Sequence, residues 1–323
     1  MLTVRGISYL VGETPEAEMR RDLQTIGRDL HCNTVMLIGS DTTQLIEAAR
    51  AALEIGLGVY LRPHVPDLPQ PELLHHLGAV AEAAEELRLD HPDHVTLVVG
   101  SEFTHTAPGI VPGPRSFIRL KLILRLQRVL RGRLDRRLHA LLNAAAATAR
   151  RRFHGPLTYS AAGWEHVDWS LFDVVGVSLY RGARNHAGYT ERLRGLVGDH
   201  QKPVVITEFG CGAFPGADLR GAGSFQIVSW FATNPYIRGE HPRDETVQAN
   251  YLSELIDQYN AEGVYGCFVF TFVMPDFPHR DDPRLDLDRA GFGIMAVSET
   301  TPRRPKAAFH AVAQRYGDIH TNT

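Results

Sequence analysis

Short apolar runs alternate along this chain with longer stretches of helical period. Strand candidates are the runs at residues 4–9, 33–38, 57–62, 95–99, 157–160, 174–179 and 264–270, together with the one that begins at Val204, which is continuously apolar from Val204 to Ile206. Bounded by Pro and Gly, that last run predicts a strand buried on both faces, as in a parallel sheet. The stretches between them predict helices. Thr14, Pro15, Glu16 and Glu18 start one over 15–30, Asp41 or Thr42 caps a second through 55, and Leu73, Leu74, Leu77, Val80, Ala84 and Leu87 form one stripe over 71–89. Further helices are expected over 116–152, broken near Gly132, over 189–197 and 244–260, and at the end over 305–316. Eight strands, each followed by a helix, predict a single (β/α)8 TIM barrel domain over residues 1–323, with long loops after strands four, seven and eight.

The rival fold, a doubly wound open sheet, brings a glycine-rich phosphate loop after its first strand, and Gly6 and Gly12 match neither such pattern. Composition leaves the barrel in place: 323 residues, 44% hydrophobic and 22% charged, are enough for one large globular domain. A net charge of -3 gives no whole-chain reason to expect nucleic acid or an anionic membrane as partner. Cys32, Cys211 and Cys267 fit no metal or redox spacing, and residues 1–10 lack the charged start and apolar run of a signal peptide, so the expectation is a reduced cytoplasmic protein. No apolar stretch approaches the ~20 residues of a membrane helix.

Candidate chemistry lies at two strand ends. Strand seven runs Val204-Val205-Ile206-Thr207-Glu208 before Phe209-Gly210, and strand four ends Gly100-Ser101-Glu102-Phe103. A carboxylate where a buried strand stops is misplaced for a core residue and well placed for a catalyst, because barrel active sites are built at the carboxyl ends of strands. Two of them suit glycoside hydrolysis, which needs a protonated acid for the leaving oxygen and an ionised carboxylate for the anomeric carbon; a separation of about 5 to 5.5 Å gives retention. Tyr180, just past strand six, is positioned in sequence to donate a hydrogen bond that keeps Glu208 ionised.

With these stretches, and with Leu61-Arg62-Pro63-His64-Val65, Leu157-Thr158-Tyr159-Ser160 and Phe172-Asp173-Val174-Val175-Gly176-Val177, the chain resembles the retaining (β/α)8 glycoside hydrolase clan with its acid/base at strand four and nucleophile at strand seven. Within that clan it is most similar to the bacterial endo-β-mannanase-type family. The resemblance implies Glu102 as acid/base, Glu208 as nucleophile and Tyr180 as its hydrogen-bond partner, with no cofactor and a small glycoside or oligosaccharide as substrate. Ser101 stands where much of the clan has Asn, and Phe270-Thr271-Phe272 replaces the clan's tryptophan platform, so Phe272 becomes a candidate sugar contact. The chain also resembles bacterial proteins catalogued as abortive-infection or hydrolase-like. That likeness carries the alternative of a catalytically inactive barrel serving carbohydrate binding or defence.

Further candidate substrate contacts are Arg62 and His64 after strand three, His105 beside Glu102, Trp164 after strand five as a stacking surface, and Trp230 in the loop after strand seven. No metal site is expected. His75-His76 lacks zinc-pair spacing, and Asp281, Asp282, Asp286 and Asp288 lack the glycine and terminal Glu of a calcium loop, which predicts a solvated, partly Arg-paired segment. Residues 115–152 carry twelve Arg and Lys against the single acid Asp135. A solvated basic face on a helix is the expectation there, with an acidic partner, a second copy of the chain in a homo-oligomer, or a polyanion as the alternative that charge reversal at Arg128 and Arg131 would test.

Overall fold

The computed structural model describes residues 1–298 and 303–321, with side chains throughout except those of 126–130; Arg128 therefore lies outside the described side chains. In chain order the elements are β1 (Val4–Leu10), α1 (Glu16–Arg28), β2 (Thr34–Gly39), α2 (Thr42–Glu54), β3 (Gly58–Pro63), α3 (Gln70–Asp90), β4 (Val95–Ser101), a short α4 (Phe103–Thr106), α5 (Ser116–Arg150), β5 (Leu157–Ser160), β6 (Val175–Ser178), α6 (Tyr189–Gly198), β7 (Val204–Phe209), a short α7 (Ala217–Arg220), β8 (Val228–Ser229), β9 (Tyr236–Ile237), α8 (Glu245–Ala261), β10 (Gly266–Val269) and, near the end, α9 (Ala307–Thr321). Eight strands share one sheet in the order β5-β4-β3-β2-β1-β10-β7-β6. An isolated parallel bridge between Ala161 and Val177 joins the two ends of that order, which makes it the strand order of a (β/α)8 barrel. Every residue of β2, β3, β4 and β7 is buried, the physical reason that these strands read as continuous apolar runs.

The chain divides into two compact units. The first comprises Met1–Leu10, Gln24–Thr34 and Leu179–Thr323. Within it β1 pairs parallel with β10, Val4 opposite Gly266, and β10 pairs parallel with β7, with an irregularity between Cys267 and Val269. The Tyr316 hydroxyl donates to Gly6 O at 2.9 Å and so ties α9 to β1. Tyr189 and Tyr259, both fully buried, share a 2.6 Å hydrogen bond and Tyr189 donates to Leu179 O, which satisfies hydroxyls that burial would otherwise penalise. The second unit comprises Val11–Leu23 and Val35–Ser178. Here β3 pairs with β4 and β4 with β5, all parallel, with a register shift between Val98 and Ser101. Asp41 caps α2, its carboxylate accepting from Gln44 N at 2.8 Å.

Four expectations need correction. Helix α5 runs unbroken through Gly132; one glycine costs only about 1 kcal/mol in a helix interior, and the flanking Arg and Leu residues favour helix. Strand β5 is followed by a single 3-10 turn at Trp169–Leu171 rather than by an α-helix, because Asp168 accepts from Ser170 N and the short segment turns straight into β6. Asp286 and Asp288 are not solvated: both are 3% exposed and bound by Arg243, while Asp288 also pairs with the fully buried Lys306. The basic stretch is not simply a solvated face either. Arg119 is fully buried, Arg137 donates to Gly109 O, Arg150 pairs with Asp173, and Arg131 meets His166 at 2.6 Å. All three cysteines are free and buried; burial raises their thiols, Cys267 to about 12, so they are inert rather than reactive. No described helix is long and apolar enough to cross a membrane.

Candidate active site

Glu102 follows directly on β4 and has φ 47 and ψ 47, a left-handed backbone that costs a non-glycine residue roughly 1–2 kcal/mol. The surroundings hold it there. Glu102 N donates to Ser160 O at 2.9 Å, Phe103 N to the Tyr159 hydroxyl at 2.6 Å, and Thr104 N to Glu165 Oε1 at 2.9 Å. Gly100 gives the turn its room: a Cβ there would lie 2.1 Å from the Phe103 ring. On the acid itself, Oε2 lies 2.6 Å from His105 Nε2, and His105 Nδ1 lies 2.8 Å from Ser116 Oγ. The guanidinium of Arg119 donates to the carbonyls of His105, Thr106 and Gly113 and to Asp67 Oδ1, and thereby ties the loop after β4 to α5.

Glu208 is the next-to-last residue of β7 and is 8% exposed. The hydroxyl of Tyr180 donates to its Oε2 at 3.0 Å, and its backbone carbonyl accepts from Leu179 N at 3.0 Å. Tyr180 is held in turn through its carbonyl, which accepts from Asn185 Nδ2. Immediately after β7 the chain must pass close to β10: a Cβ on Gly210 would stand 2.5 Å from Phe270 O. The ring of Phe292 lies 6.1 Å from that of Tyr180 and 5.9 Å from that of Phe270, so aromatic surface flanks the tyrosine.

The remaining sequence candidates fall into different environments. Ser101 is 3% exposed and Arg62 5%, with one guanidinium nitrogen 4.0 Å from Met36 Sδ. His64 N donates to Gly39 O, and burial beside Arg62 and His105 pushes its imidazole down to about 3, so the ring is neutral. His105 is partly exposed and engages Glu102 and Ser116 with its two ring nitrogens. Trp164 is partly exposed and gives its indole N–H to Thr104 Oγ1. Trp230 is 37% exposed and packs edge-on against Phe277 at 5.1 Å. Phe272 is a correction: it has no exposed surface, packs near Tyr9 and donates its N–H to Ser8 O, because β10 stops at Val269 and the chain turns inward. Phe270 is the partly exposed ring of that triplet.

Sequence reasoning missed Tyr159, Glu165 and Arg119. The signal for the first was present in Leu157-Thr158-Tyr159-Ser160, since a tyrosine inside a buried strand must find a partner for its hydroxyl. Glu165, beside Trp164, carried none until its three donors were seen: Thr104 N, Ala162 N and the Tyr159 hydroxyl, each at 2.9 Å. Burial pushes its carboxyl up to about 7, with the charge of Glu102 adding to the rise and the two backbone N–H groups opposing it.

No family model matches this chain, and no curated protein matches its sequence. Solved structures do match in fold. A GH113 β-mannanase from Alicyclobacillus acidocaldarius superposes with a TM-score of 0.64 at 15% identity, covering 99% of this chain and 98% of that one. The Thermotoga maritima Cel5A gives 0.58 at 11% identity over 96% and 97% of the two chains. A β-glucuronidase from Bacteroides uniformis gives 0.60 at 16% identity over 97% of this chain but 35% of that one. The chain therefore has the (β/α)8 fold of these glycoside hydrolases.

Proposed function

We propose that this chain is a retaining glycoside hydrolase, the whole chain forming one catalytic domain, with Glu208 as nucleophile and Glu102 as acid/base. The observation that carries the reading is the 3.0 Å hydrogen bond from Tyr180 to Glu208 at the end of β7, since a hydroxyl donor favours the ionised carboxylate that a nucleophile must be. In the first step a Glu208 oxygen bonds to the anomeric carbon as the glycosidic C–O bond breaks, and Glu102 gives its proton to the departing oxygen. In the second, Glu102 takes a proton from water, whose oxygen displaces Glu208 from the same carbon and restores the original configuration. The neighbours are named as β-mannanase, β-glucuronidase and Cel5A, one of them covalently bound to a cyclophellitol aziridine, and the bond proposed here is accordingly β-glycosidic. The proposed substrate is a small glycoside or oligosaccharide met in the cytoplasm. Ser101, short where a longer amide would reach a sugar hydroxyl, leaves mannan no privileged place among these substrates.

The test is a panel of aryl β-glycosides with the wild type and Glu208→Gln, followed by NMR of the first-formed anomer. Turnover by the wild type with retention, and none by the variant, is expected. Equal turnover by both would refute the assignment, and failure of every sugar in the wild type would favour the non-catalytic, carbohydrate-binding alternative.

A further inference from the structure

A carboxylate used for no step above lies directly behind the Glu102 turn. Glu165 accepts Thr104 N–H on Oε1, and on Oε2 it accepts both Ala162 N–H and the Tyr159 hydroxyl. Tyr159 is fully buried, and its oxygen in turn accepts Phe103 N–H at 2.6 Å. The two residues that follow Glu102 are thus both anchored to this assembly, Phe103 through Tyr159 and Thr104 directly. Trp164, the residue before Glu165, adds a third tie by donating to Thr104 Oγ1 at 3.0 Å. A left-handed residue persists only where its surroundings over-determine it, and these bonds supply that determination for Glu102.

We propose that Glu165 is the positioning residue of the Glu102 turn: its carboxylate, by accepting the Thr104, Ala162 and Tyr159 donors together, holds the backbone that aims the acid/base, and proton uptake at Glu165 releases one of those donors. This rests on the reading of Glu102 as acid/base. The chemistry follows from acceptor capacity. An ionised carboxylate accepts on both oxygens, whereas a protonated one turns one oxygen into a donor facing an N–H or O–H that is itself a donor. Protonation on Oε1 leaves Thr104 N–H without its acceptor, two residues beyond the left-handed Glu102.

The titratable groups around Glu165 are few. Glu102 and Tyr159 face it from the α4 turn and from β5, and the charge of Glu102 raises it further after burial has done so. His105, whose ring is 6.3 Å from that of Trp164, is engaged by Glu102 and Ser116. From α5, Arg131, Asp135 and His139 are tied to His166, the residue after Glu165. With its carboxyl at about 7, Glu165 changes charge in the neutral range.

The experiment has two parts, and the first needs no substrate. In the wild type, the amide signals of Thr104 and Ala162 and the side-chain carboxyl carbon of Glu165 are followed by NMR from pH 5 to 9; a common titration near neutrality is expected, absent from the two amides in Glu165→Gln. Flat amide shifts in the wild type overturn the proposal whatever the activity proves to be. The second part measures kcat and KM on the best aryl β-glycoside of the panel. Glu165→Gln is expected to lower kcat on the order of tenfold at alkaline pH, the scale of a slightly misaimed catalytic group, and to converge on the wild type at acid pH, with KM little changed. A loss of equal size at every pH would mark Glu165 as merely structural and overturn the proposal. Absence of turnover in the wild type counts against the proposed reaction alone, because the amide titration stands apart from it.

Discussion

His105 Nε2 lies 2.6 Å from Oε2 of Glu102, three residues earlier, and the opposite ring nitrogen lies 2.8 Å from Ser116 Oγ on α5. The imidazole therefore links the proposed acid/base to the long helix behind it. Removing the ring in His105→Ala is expected to lower kcat roughly tenfold, a fraction of the 10²–10⁴ that general acid–base catalysis supplies. The loss should be larger for glycosides with poor leaving groups, which need the proton most. Equal losses for dinitrophenyl and methylumbelliferyl glycosides would sink the link.

Tyr180 meets Glu208 at 3.0 Å, and it is partly exposed. Tyr180→Phe removes one hydrogen bond and leaves the ring beside Phe292. We expect a fall in kcat/KM of about ten- to a hundredfold, while the free energy of unfolding in urea changes by only about 1 kcal/mol. A destabilisation of several kcal/mol with little kinetic effect would reverse the assignment from nucleophile support to packing.

Arg119 has no exposed surface and gives hydrogen bonds to Asp67 and to three loop carbonyls. Arg119→Met keeps much of the volume but strands a partly buried carboxylate and those carbonyls, so a loss of about 3–5 kcal/mol is expected in denaturant unfolding. Arg119→Lys should recover only part of it, because a single ammonium cannot reproduce the planar fork.

Glu165 also carries a stability signature, and its sign is opposite to that of a salt-bridged acid. Its folded value, about 7, lies above the ordinary carboxylate value of 4.5. Between those two values the folded chain holds a proton that the unfolded chain has lost, so stability falls as pH rises through that window and then levels off. Replacement by Gln removes this slope. Relative to the wild type, Glu165→Gln should gain up to about 3 kcal/mol between pH 4 and pH 8, read as the pH dependence of the difference in urea midpoints. A constant difference would contradict the raised value.

Much of the barrel was legible because its strands are buried on both faces. A parallel strand covered on each side writes a continuous apolar run, and β2, β4 and β7 were readable as such to within two residues at either end. A cap that acts within four residues was equally readable, as Asp41 demonstrates: it accepts from a backbone N–H three positions ahead. The end of β10 was not. Phe270 and Phe272 look interchangeable in sequence, and only the turn of the chain after Val269 gives one an exposed edge and the other full burial. The acidic loop after β10 misled for a related reason, since the cations that bury Asp286 and Asp288 come from Arg243 and Lys306, remote in sequence.

By itself the sequence determined the strand ends on which Glu102 and Glu208 stand, because burial pattern and chain order are local properties. Tyr180 at Glu208 and His105 at Glu102 were legible as well, but the remaining groups around the Glu102 turn were decided only by the tertiary structure. Tyr159 and Glu165 reach the Glu102 turn from about sixty residues away, and Arg119 secures the same loop from inside a helix whose composition suggested a solvated surface. A hydrogen bond across that separation leaves no periodicity in the chain, since its donor and acceptor become neighbours only when the parallel strands bring them into register.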